Sequence, residues 1–75
     1  MKKLEKQILE IFKKNLKNKN VKKNSTTQDI IEWDSLNHVN IINETSKKFS
    51  IKISFYEMVN INSVKKLIDL VKKKL

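Results

Sequence analysis

Across all 75 residues the chain has no Gly, no Pro and no Cys. That absence removes disulfide scaffolds, Cys-based zinc sites, the P-loop, the Rossmann fingerprint and every other Gly-rich phosphate cradle. A single core usually needs about 50 residues or more, so the length predicts one domain over residues 1–75.

The charge is lopsided. Seventeen basic residues face eight acidic ones for a net charge of +9. All of the basic residues are Lys and none is Arg. Lys, Asn and Ile make up nearly half of the chain, and all three are encoded by A/T-rich codons, so part of the charge reads as compositional drift. Base and phosphate recognition favours the Arg fork and aromatic platforms, which argues against a nucleic-acid partner. No apolar run approaches the ~20 residues of a membrane span. The start, Met1-Lys2-Lys3-Leu4-Glu5, enters helical periodicity without a signal-peptide core. The expectation is a cytoplasmic protein that contacts neither membrane nor nucleic acid.

Hydrophobic spacing predicts four helices. Leu4, Ile8, Ile11, Phe12 and Leu16 share one side of a helix over about residues 2–16, with Leu9 at the edge. On its outer face, Glu10 precedes Lys14 by four residues, the orientation that supports a helix. Residues 17–24 are Lys- and Asn-rich with one apolar residue, Val21, and read as a loop. Ser25-Thr26-Thr27-Gln28 fits a capping box and predicts a single helical turn before Ile30-Ile31. A second long helix opens at Asp34-Ser35 and runs to about Lys48, with Leu36, Val39, Ile41, Ile42, Thr45 and Phe49 on a broad buried arc. Residues 49–53 alternate with period two, but no second strand exists to pair with them, so no strand is expected. Ser54-Phe55-Tyr56-Glu57 is another capping box and starts a short helix ending near Asn60. Ser63 caps a last helix over residues 64–74, whose Val64, Leu67, Ile68, Val71 and Leu75 form a narrow stripe, while Lys65, Lys66, Lys72, Lys73 and Lys74 face water.

A long helix, a long loop, a second long helix opened by Asp34-Ser35-Leu36, a short helix and a final helix together resemble the acyl carrier protein family. The resemblance rests on the D-S-L triplet, followed by Val39, Ile42, Phe49, Ile53 and Ile61-Asn62-Ser63-Val64 at the family spacing. It covers nearly the whole chain. It implies an all-α fold, a small four-helix bundle of acyl-carrier type with three long helices and a short third one. It also implies that a phosphopantetheinyl transferase, the holo-carrier synthase, attaches 4′-phosphopantetheine from coenzyme A to Ser35. Asp34 would help orient that enzyme and its Mg²⁺, and Leu36 completes the attachment motif. The arm's thiol then carries acyl groups as thioesters, received from acyl-loading enzymes and passed to acyl-transfer enzymes. Independently of the family, a helix start is a favourable place for a phosphate, and a chain without Cys must import its thiol.

The resemblance implies an acyl pocket lined by Val39, Ile42, Thr45, Ile53, Met58 and Ile61. Thr45 places a hydroxyl where a large aliphatic is usual, and leaving it unpartnered beside an alkyl tail would cost about 1–3 kcal/mol. Met58 fills gaps readily. With Phe55 and Tyr56 on the same short helix, the pocket is expected to be nearly full and the cargo short or polar, with His38 near its thioester. One His without Cys or a carboxylate pair is not a metal site, and no nucleophile-base pair is evident, so no catalysis is expected.

The chain departs from the family in charge. Asn40, Ser46 and Lys47 stand where acids are usual, and Asn37, Asn40, Asn43, Glu44 and Lys47 form the expected partner-binding face. A dedicated biosynthetic pathway is therefore expected in place of the housekeeping fatty-acid enzymes. Ile31-Glu32-Trp33 takes the place of the family's usual apolar-Gly-X turn, and Trp33 is expected to cover the loop against the second helix. The alternatives are an aminoacyl or peptidyl carrier, an unmodified carrier-like interaction domain, and a basic helical nucleic-acid-binding module. Absence of Arg and the Asn-rich helix face weigh against the last. A monomer is expected.

Overall fold

The computed structural model describes residues 2–75. Its helices are α1 (Lys2–Leu16), α2 (Ser35–Phe49), α3 (Phe55–Val59) and α4 (Val64–Lys74). There are three long helices and one short one, as the periodicity predicts. No helix among the described residues is long and apolar enough to cross a membrane.

Three of the four helix starts follow from local side-chain chemistry. Asp34 caps α2 by accepting the Asn37 amide, Ser54 and Glu57 form a reciprocal capping box on α3, and Ser63 accepts the Lys66 amide at the start of α4. Each satisfies N–H groups that have no intrahelical partner. The predicted box at Ser25–Gln28 does not form. Ser25 Oγ instead accepts the Lys22 amide at 2.9 Å, while Asp29 accepts the Thr26 amide at 3.2 Å and starts the turn one residue later. The Ser25 amide, which the box would give to Gln28, donates to the Lys22 carbonyl at 3.0 Å, so both of the Ser25 groups that the box needs are taken by Lys22.

Helix ends required another device, because the chain lacks Gly. Lys17 and Ser50 take up left-handed backbone conformations, with φ of 53° and 54°. At each, an amide reaches back five residues, Asn18 to the Lys13 carbonyl at 3.3 Å and Ile51 to the Ser46 carbonyl at 3.1 Å. This is the Schellman arrangement, made here by residues that carry a Cβ.

The core joins Ile8, Ile11, Phe12 and Leu16 of α1 to Ile41 and Ile42 of α2 and to Val64, Leu67, Ile68 and Val71 of α4. Val21, Ile30 and Trp33 from the long loop, and Ile61 before α4, complete it. The loop is tied to the start of α4 by an antiparallel bridge between Thr26 and Ser63, in which the Thr27 amide donates to the Asn62 carbonyl and the Val64 amide to the Ser25 carbonyl, both at 3.0 Å.

Three expected burials are not found. Leu36 is 70% exposed, Val39 is 38% exposed and Leu75 is 70% exposed. Leu36 and Val39 lie on the first turns of α2, and Leu75 follows the last residue of α4. The expected Glu10–Lys14 pair is also replaced. Lys14 pairs across the bundle with Glu44 of α2, which Asn15 also contacts at 3.0 Å, so a partner fixed by packing wins over one on the same exposed face. Glu5 similarly joins α1 to Lys23 of the loop and Lys72 of α4, and Glu57 joins α3 to Lys74.

Candidate functional site

The cap places Ser35 at the first residue of α2, where its side chain is exposed. A concave cavity of about 490 Å³ begins there, walled by α2, α3 and the segment entering α4. Its lining combines polar Ser35, Asp34, Thr27 and Asn62 with apolar Val39, Phe55, Met58, Val59 and Ile61.

Trp33 and His38 close the floor. Trp33 is 6% exposed and meets Phe12 of α1 edge to face, with ring centroids 4.9 Å apart. Its Nε1 donates to His38 Nδ1 at 2.8 Å, and His38 Nε2 lies 2.8 Å from the Met58 carbonyl oxygen. An indole N–H can only donate, so Nδ1 accepts and Nε2 carries the hydrogen given to Met58. Both ring nitrogens are engaged.

Of the six residues expected to line an acyl pocket, Val39, Met58 and Ile61 line this cavity. Ile42 and Thr45 are instead buried in the core, and Ile53 borders a separate concavity with Ser46 and Lys74. The Thr45 hydroxyl has a partner: Oγ1 donates to the Ile41 carbonyl at 2.7 Å, one helical turn back, so the penalty for an unpartnered hydroxyl does not arise. Phe55 lines the cavity although it is 75% exposed, whereas Tyr56, 76% exposed, borders a separate concavity with Glu57, Asn60 and Lys73. Sequence reading missed Thr27, Val59 and Asn62 as lining residues. Thr27 and Asn62 are brought there by the Thr26–Ser63 bridge, for which no local pattern codes, and Val59 by the end of α3.

The expected partner face is only partly open. Asn40, Asn43 and Lys47 are exposed. Asn37 Nδ2 is committed to the Glu32 carbonyl at 2.8 Å, and Glu44 to Lys14 and Asn15. The Lys14 ammonium and then the Asn15 amide hold the Glu44 carboxyl below its ordinary value. No Lys occurs between Lys23 and Lys47, and that stretch contains Asp29, Glu32, Asp34 and Glu44. Lys17 borders the same concavity as Glu32 and Asp34, and Glu44 is paired with Lys14, so acids of this stretch have Lys beside them in the fold.

No protein-family model matches the chain, and no curated protein matches it. Among solved structures, it is similar to the holo acyl carrier protein from Geobacter metallireducens, determined by NMR in solution. The TM-score is 0.80 at 29% sequence identity, over 93% of this chain and 83% of that one. From the D-S-L triplet opening α2 to the capped start of α4, the chain resembles the acyl carrier protein family, and its four helices form the acyl carrier protein fold.

Proposed function

We propose that the protein is an acyl carrier, a non-catalytic shuttle whose Ser35 hydroxyl bears 4′-phosphopantetheine and whose cargo rides as a thioester on that arm. The observation that carries this reading is the position of Ser35: exposed, first in α2, and on the rim of the 490 Å³ cavity. An attached phosphate would lie at the positive end of the α2 dipole. The arm supplies the thiol that a chain without Cys lacks.

The partners are a phosphopantetheinyl transferase, which meets Asp34, Ser35 and Leu36, and loading and transfer enzymes of a dedicated pathway, which meet Asn40, Asn43 and Lys47 beside Asn37 and Glu44. The protein acts as a single carrier domain and a monomer. The mixture of Thr27, Asp34 and Asn62 with Val39, Met58 and Ile61 around the cavity supports a short or polar acyl group. Incubation with coenzyme A and a promiscuous phosphopantetheinyl transferase, followed by intact-mass measurement, tests the central point. The mass should rise by one phosphopantetheine; an unchanged mass would favour an unmodified interaction domain.

A further inference from the structure

α3 is five residues long and none of them is buried. Its capping box is internal to the element and does not attach it to the bundle. Attachment comes from Lys74 pairing with Glu57 on the outer side, from partial burial of Met58 against the core, and from His38 Nε2 holding the Met58 carbonyl on the cavity side. His38 is itself held through Nδ1 by Trp33, and Trp33 by Phe12, which is fully buried. A continuous line of contacts therefore runs from the centre of the core to an element with no buried side chain of its own.

Trp33, His38 and Met58 also line the cavity that begins at Ser35. We propose that His38 is a positioning residue, a latch that holds α3 against α2 and thereby fixes the wall of the cavity and the size of cargo admitted beside Ser35. The latch stands on the geometry alone; its effect on cargo rests on the carrier reading proposed above. Releasing it frees one wall of the cavity to move away from α2, so longer acyl chains gain shelter. While it is closed, both imidazole nitrogens are occupied and the ring offers no free lone pair to a nearby thioester.

Backbone amide hydrogen exchange on the unmodified protein tests the latch without reference to cargo. His38→Leu fills the space but makes neither bond, whereas the His38→Gln carboxamide offers an acceptor and a donor. The Leu variant should exchange about ten-fold faster at Met58, Val59 and Ile61, the effect of losing one or two hydrogen bonds. Amides of α1 and α4 should keep their protection, and the Gln variant should recover much of the loss. Trp33→Phe, which keeps the aromatic contact but removes the N–H, should loosen the same segment and serves if His38→Leu does not fold. Unchanged exchange in α3, or an equal rise throughout the bundle, would overturn the latch. On acylated holo protein, His38→Leu should move the acyl length giving the highest melting temperature upward; an identical length profile would refute the link to cargo. If Ser35 proves unmodifiable, the carrier reading fails while the exchange result still decides the latch.

Discussion

Asp34 accepts the Asn37 amide at 2.9 Å, so it stabilises α2 whatever it contributes to modification. The two roles separate by substitution. Asp34→Ala should destabilise the fold by about 1 kcal/mol through loss of the cap. Asp34→Asn, which keeps an acceptor, should change stability by only a few tenths of a kcal/mol while slowing phosphopantetheinylation. Urea unfolding and a timed mass assay on both variants measure the two effects; equal modification rates in wild type and the Asn variant would confine Asp34 to capping. Thr45 teaches a related lesson. A buried hydroxyl in a helix can return its proton to the preceding turn, as Thr45 does to Ile41, and Thr45→Val, which removes it at nearly constant volume, should shift stability by less than about 1 kcal/mol. Such local chemistry is legible in sequence: Asp34, Ser54 and Ser63 are read as caps because each acts within three residues of itself. The Trp33–His38–Met58 line is not, because it joins a loop, a helix and a carbonyl that only the folded topology brings together.

Among the elements, a glycine-free chain must end its helices on residues with a Cβ. Ser50→Gly should therefore stabilise the protein by roughly 1 kcal/mol, since a left-handed conformation costs an L-residue about that much. A melting temperature unchanged or lowered would show that Ser50 makes a compensating contact. The helices are joined by three carboxylates, all held below the ordinary Glu value of 4.5: Glu5 by hydrogen bonding to Lys23, Glu44 by Lys14, and Glu57 by the Ser54 amide and then Lys74. A depressed carboxylate stabilises the fold above its unfolded value and loses that contribution as pH falls through the lower folded value. The contribution of these three carboxylates should thus hold from neutrality down to about pH 4.5 and decline below it. The Glu44→Gln variant should show a shallower decline, as urea midpoints at successive pH values would report. Helical period revealed which faces are apolar, but not which neighbour covers them. Leu36, Val39 and Leu75 remain exposed, and Val39 lines the cavity between α2 and α3 instead of the core.

Over the whole molecule, seventeen Lys against eight acids must share a body whose radius of gyration is 11.0 Å. Cross-element ion pairs oppose this repulsion, but they are partly solvent-exposed and each contributes little. Added salt screens the more numerous repulsions beyond about 8–10 Å, so the thermal midpoint should rise from low to moderate ionic strength. A flat or falling midpoint would mean the Lys are too dispersed to matter. The charge is also unevenly placed, with Asp29, Glu32, Asp34 and Glu44 in the Lys-free stretch around Ser35. Everything proposed for cargo and partners depends on Ser35 carrying the arm. Intact mass of wild type and Ser35→Ala after parallel treatment with coenzyme A and a phosphopantetheinyl transferase tests that dependence, with circular dichroism confirming that both are folded. The wild type should gain one phosphopantetheine and the Ala variant none; a gain on the folded Ala variant, or no gain on the wild type, would contradict the account.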